Sequence, residues 1–102
     1  MILIRINCPD AQTARAIAAA AVDKRLAACA NIEPPIRSVY RWQGAIEEGE
    51  ETPLILKTRP ALFDAVAELA RRMHPDETPA ILALPVAGVT ADFAAWLEAE
   101  TA

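Results

Sequence analysis

IRSVYRWQGAIEEGEETPLILKT, residues 36–58, reads as two extended arms folded back on each other at Gln43-Gly44. Val39, Tyr40, Arg41 and Trp42 favour pleated backbone, and Gly44 supplies the positive φ that a tight reversal needs. The arms are longer than the roughly five or six residues of an ordinary strand. In the second arm, Glu48-Gly49-Glu50-Glu51-Thr52-Pro53 interrupts the pattern before Leu54 resumes it, which predicts a bulge or bend in that arm.

Working outward from the hairpin, Ile2–Asn7 is a short apolar strand broken only by Arg5, closed by Pro9-Asp10, with Asp10 placed to cap a helix. From Ala11 to Arg25 the residues Ala14, Ile17, Ala18, Ala21 and Val22 recur at helical spacing. Leu26–Ile32 then predicts a second strand, halted by Glu33-Pro34-Pro35 and resumed at Ile36. Beyond the hairpin, Thr58 is placed to cap and Pro60 to occupy the first turn of a helix whose apolar face is Leu62, Val66, Leu69, Ala70 and Met73. His74-Pro75 ends it, because the residue before proline is pushed out of helical geometry. Ala80–Val86 is a fully apolar strand with Pro85 near its end. Thr90 then caps a terminal helix, Ala91–Glu100, with Phe93, Trp96 and Leu97 turned inward.

The order β-α-β-β-α-β plus a short helix is the ferredoxin-like arrangement of the α+β class, an antiparallel sheet with both long helices on one face. A sheet covered on one side alternates apolar and polar residues. Ile2-Leu3-Ile4, Leu54-Ile55-Leu56 and Ile81-Leu82-Ala83-Leu84 do not alternate, so both faces are expected to be buried. The terminal helix is too short to cover the second face, and the pattern predicts a homo-oligomer whose sheets pack together and whose hairpins pair across the interface.

At 102 residues, with 54% hydrophobic and 24% charged residues, the chain is expected to form one globular domain over residues 1–102. A net charge of −4 with scattered cations argues against a nucleic-acid surface, since phosphate binding needs clustered Lys and Arg. No apolar run approaches the roughly 20 residues that span a bilayer, and the first residues enter a strand directly, so no membrane partner and a soluble, cytoplasmic protein are expected. Two cysteines and one histidine are too few for a disulfide framework or a Cys/His zinc site. No glycine-rich phosphate cradle, nucleophile elbow or Ser/His/Asp set is present, so the chain is not read as an enzyme.

Several segments resemble the CutA divalent-cation tolerance proteins: CPDAQTA at residues 8–14, KRLAACANI at 24–32, SVYRWQGAIEE at 38–48, LILKTR at 54–59, HPDETPAILALPV at 74–86, and FAAWL in the last helix. Together they cover nearly the whole chain in order. The resemblance implies a ferredoxin-like subunit assembled into a homotrimer similar in architecture to the PII signalling proteins. It also implies a role in metal tolerance, with binding of copper or other divalent cations but no tightly held cofactor. Where the family usually reads HPYEVPEI this chain reads HPDETPAI, so Asp76, Thr78 and Ala80 replace a Tyr, a Val and a Glu.

Topology places Cys8, the Gln43-Gly44 turn and His74 at one end of the sheet, and Cys29 about 20 Å away, one helix length from Cys8. Both cysteines are therefore expected to be free, since a bridge needs Cα atoms within about 7 Å. A thiolate from Cys8, the imidazole of His74 and a carboxylate from Glu77 or Asp76 are suitable ligands for copper or zinc. A helix-ending histidine also serves as a cap and a lone cysteine packs as a small hydrophobe, so both readings stand at this point. A second candidate site is a polar pocket of Tyr40, Trp42, Glu47 and Lys57, suited to a small polar or anionic ligand and, through an unknown protein partner, to signalling. The same aromatics would also serve as interface anchors.

Overall fold

The computed structural model describes residues 1–102. Its spine is β4 (Ala45–Thr58), a strand of 14 residues that serves two neighbourhoods. One half belongs to the body of the sheet, where β4 lies between β1 (Ile2–Cys8) and β2 (Cys29–Ile32), with β5 (Ile81–Pro85) on the far side of β1. The other half pairs only with β3 (Ile36–Trp42) and forms the projecting hairpin. All pairings are antiparallel. With β2 and β3 as two halves of one arm, this is the expected ferredoxin-like order. The connecting helices are α1 (Ala11–Asp23), α2 (Phe63–Met73) and the terminal α3 (Ala91–Glu100).

Register decides which side chains meet the helices. Ile4 opposes Leu56 and Ile6 opposes Leu54, and these four pack against Ala14, Ile17 and Ala21 of α1 and Val66, Leu69 and Ala70 of α2. The alanines of α1 let that helix approach closely. Each fully buried Ile or Leu contributes roughly 1.5–3 kcal/mol through removal of apolar surface from water. The opposite face carries the alternate positions: Leu84, Leu3, Lys57 and Cys29 form one cross-strand row, and Leu82, Arg5, Ile55 and Asn31 the next. Within one subunit this face is not buried; Leu82 and Leu84 are 46% and 40% exposed. It is also more mixed than the apolar runs suggest, because Arg5 and Lys57 stand among the leucines.

The expected bulge in the second arm is absent. β4 pairs in unbroken register with β3 from Ala45 to Glu51 and with β1 from Thr52 to Thr58. The extra residue lies on the other arm: Ile32 opposes Leu54 and Ile36 opposes Glu51, so four steps face three across Glu33-Pro34-Pro35. This explains how Pro53 sits buried in a central strand. Its carbonyl accepts a hydrogen bond from the Glu33 N–H at 3.0 Å. In an antiparallel strand N–H and C=O of one residue point to the same neighbour, so the donor that proline lacks faces the place where the ladder is already broken.

Helix ends account for the other departures. α1 stops at Asp23, and Leu26–Ala28 is its exit rather than strand. Arg25 takes a left-handed φ of 60°, and the N–H groups of Arg25 and Leu26 return to the carbonyls of Val22 and Ala21, a Schellman ending with arginine where glycine is usual. Asp10 caps α1 as expected, accepting from the Thr13 N–H at 2.7 Å. Thr58 is not a cap: it is buried at the end of β4 and its hydroxyl donates to the Leu26 carbonyl. A 3-10 turn over Pro60–Leu62 starts the second helix instead. Thr90 precedes α3 without a side-chain cap to its N–H groups, and of the three residues expected inward only Leu97 is buried; Phe93 is half-buried and Trp96 is exposed.

Candidate functional site

His74 ends α2 with extended backbone, and its side chain is wholly enclosed. Its Nδ1 accepts the Asp76 N–H at 3.1 Å, which leaves the ring proton on Nε2, and Nε2 donates to the Asn7 backbone carbonyl at 2.8 Å. The ring is thus the neutral tautomer, and its approach to the Asp76 carboxylate, 3.9 Å from Nδ1, is not an ion pair in that state. The histidine ties the end of β1 to the loop between α2 and β5.

That loop and the face of β3 turned from the helices enclose an open groove of about 850 Å³. Ser38, Tyr40 and Trp42, at alternate positions of β3, line one wall. Glu51 of β4, Asn7 of β1, and Asp76 and Glu77 of the loop line the rest. The Asn7 Oδ1 is sealed from solvent and has no hydrogen-bond partner. Lining from β3 also includes Arg41, whose side chain lies, by strand alternation, on the opposite face from Tyr40 and Trp42. The groove therefore combines three carboxylates, which only accept hydrogen bonds, with the hydroxyls of Ser38, Tyr40 and Thr78 and the Trp42 indole, which can donate them.

The sequence-derived site residues divide between this groove and other places. Tyr40, Trp42, Asp76 and Glu77 come together in it. Glu47 faces Tyr40 across the hairpin but does not line the groove. Lys57 lies far along β4, opposite Cys29 and Leu3, and its ammonium bonds the Asn31 side-chain oxygen. One subunit thus does not gather Tyr40, Trp42, Glu47 and Lys57 into a single pocket. Cys8 is buried on the helix side of β1. Burial, with smaller contributions from the Asp10, Glu51 and Asp76 carboxylates, pushes its thiol up to about 11. Cys8 and Cys29 are both free.

The three proposed metal ligands do not converge within one chain. Cys8 holds its proton in the core, His74 has both nitrogens engaged, and no three His, Cys, Asp or Glu side chains stand together as a metal would require. The donor set does not fit a resident metal ion. Sequence reasoning missed Asn7 and Glu51, which reach the groove only through long-range pairing. Asn7 is next to Cys8 and Glu51 lies in the acidic run, but nothing local separates them from solvated neighbours.

Comparison with known proteins agrees with the fold and places the chain in a family. The pattern of the CutA1 divalent ion tolerance protein matches residues 2–100. The divalent-cation tolerance protein CutA of Thermus thermophilus is 40% identical over 99 residues, 97% of this chain and 96% of that protein. Its solved structure superposes with a TM-score of 0.95 over all of both chains. Protein CutA of mouse is 41% identical over 96 residues, 94% of this chain; the chain spans 54% of the mouse protein's length. The structure of CutA from Archaeoglobus fulgidus, named a periplasmic divalent cation tolerance protein, matches at 37% identity and a TM-score of 0.94, covering 98% of each chain. The chain therefore belongs to the CutA1 divalent ion tolerance family.

Proposed function

We propose that the chain serves divalent-cation tolerance without catalysing a reaction, as a homotrimer that meets cations such as copper weakly in the groove. The observation that carries this reading is the set of Glu51, Asp76 and Glu77 around one concave site. Carboxylates at an open site suit a cation that keeps part of its water shell, and such binding is weak and screened by salt. In this reading His74 holds the wall instead of the ion, Cys8 stays in the core, and no cofactor is resident. Free thiols at Cys8 and Cys29 suit a reducing compartment, the cytoplasm. The trimer is supported by Leu82 and Leu84, left exposed on the sheet face that no helix of the long pair covers.

Titration calorimetry with Cu(II) tests the cation site. The Asp76→Asn, Glu77→Gln double variant is expected to lose most of the binding heat, and His74→Gln to keep it if the loop stays folded. Unchanged heat in the double variant, with loss in His74→Gln, would move the ion onto the histidine. A second reading, a PII-like small-molecule sensor with an unidentified protein partner, is favoured by the aromatic wall of Tyr40 and Trp42, which a hydrated metal ion does not need.

A further inference from the structure

We infer that in the assembled protein the hairpin arm of one copy lies on the sheet body of the next, with Glu47 of the arm paired to Lys57 of the body. This rests on the homotrimer reading above and deepens it by naming the two surfaces that meet. Lys57 faces away from the helices, in one row with Leu3, Leu84 and Cys29, and its ammonium bonds the neutral Asn31 side-chain oxygen. No carboxylate of its own chain pairs with it, whereas Arg5 in the next row has Glu33 at 3.5 Å. In a lone subunit water serves the remaining N–H groups of Lys57. A second copy that covers Leu3 and Leu84 shuts that water out, and an ammonium enclosed with one neutral acceptor for three donors is costly. The covering surface must therefore bring an anion together with apolar side chains.

The arm carries both. Unbroken alternation along β4 puts Glu47 and Glu51 on the same side as Lys57. Glu48 turns to the other side, where Arg37 holds it at 3.2 Å. Glu51 is half-buried in the groove of its own subunit. Glu47 is exposed, has no cation of its own chain beside it, and lies directly across from Tyr40, with Trp42 at the next position on that side of β3. Both rings remain largely uncovered, Tyr40 at 48% and Trp42 at 39% exposure. A carboxylate beside two rings on the arm thus matches an ammonium beside two leucines on the body. Within one chain the two charges cannot meet, because they stand at positions 47 and 57 of a single strand, about 33 Å apart at roughly 3.3 Å per residue. Arm and body are different patches, so each contact leaves one of each for the next copy, and three contacts close the ring. Tyr40, Trp42, Glu47 and Lys57 then gather at a junction between copies, as they do not within one.

A double-mutant cycle on the full chain tests the pair, with assembly followed by native mass spectrometry over a dilution series. Glu47→Gln and Lys57→Met are each expected to weaken association about tenfold or more, the scale of a close charge pair between subunits, and the combined variant to be no weaker than either alone. Exchanging the charges is the second measurement: Glu47→Lys or Lys57→Glu alone is expected to dissociate the assembly, and the two together to restore it. Unchanged association in either neutral variant, additive losses in the cycle, or a folded exchanged pair that stays dissociated overturns the contact and leaves the trimer standing. Wild type that stays a folded single subunit at every concentration fells the trimer and the contact together. The neutral cycle decides even where a charge-reversed variant does not fold.

Discussion

A single imidazole holds the groove's loop in place, and its two hydrogen bonds have no substitutes nearby. Replacing His74 by Ala strips the Asn7 carbonyl and the Asp76 N–H of their partners and opens a cavity in a closed position. The expected cost is roughly 2–4 kcal/mol. Urea denaturation measures it, and a loss below about 0.5 kcal/mol would show that the loop does not depend on the ring. Cys8 gives a different signature. Its folded-state value of about 11 lies above the ordinary 9.0, so the folded chain keeps a proton that the unfolded chain releases. Below pH 9 both states carry the thiol and nothing changes. As the pH climbs from 9 towards 11 the unfolded state is favoured and stability falls. Comparing alkaline melting curves of wild type and Cys8→Ala checks this; the variant is expected to lose that part of the decline. The identities of both residues were legible in the sequence, but their roles were not, because each depends on partners far away in the chain or on the enclosure the fold creates.

Among the elements, the hairpin stands on its turn. Gln43 and Gly44 both take positive φ, 48° and 81°, the two-residue turn whose twist matches that of paired strands. Gly44→Val is expected to cost about 1–2 kcal/mol, the penalty for a side chain in that region. Because β3 pairs only with β4, the damage should be local: hydrogen exchange is expected to accelerate at β3 amides and leave β1 amides unchanged. Equal acceleration in both strands would mean that arm and body unfold as one. The turn could be read directly, since glycine announces it. The end of α1 could not, because Arg25 occupies the left-handed position without glycine's signature. Thr58 misled for a related reason: strand ends and helix starts favour the same small hydroxyl residue, and only tertiary contact with the Leu26 carbonyl distinguishes them.

At the scale of the molecule, the subunit exposes 6114 Å², above the ~5,600 Å² expected of a rounded protein of this mass. Its extents of 45 × 26 × 23 Å show where the excess lies: the hairpin projects from the body. Such a shape leaves large apolar side chains such as Leu82 and Leu84 exposed on the subunit. Leu84→Glu is expected to split the proposed trimer in sedimentation velocity while changing the single subunit's own stability by no more than about 0.5 kcal/mol, because Leu84 is already partly exposed within it. An intact assembly in that variant would remove this face from the interface. The strand order was legible at this scale because it follows from element order alone. The groove was not, because it joins β1, β3, β4 and the α2–β5 loop, and only half of the pocket expected from sequence, Tyr40 and Trp42, lies in it.

The spare residue in Glu33-Pro34-Pro35 sets the phase of everything that follows it on that arm. Strand side chains point up and down in turn, so shortening the stretch by one would force β3 either to let go of β4 or to slide by one place and present Val39 and Arg41 where the two rings now stand. Two prolines that line no part of the groove thereby choose which half of an arm's side chains forms its wall.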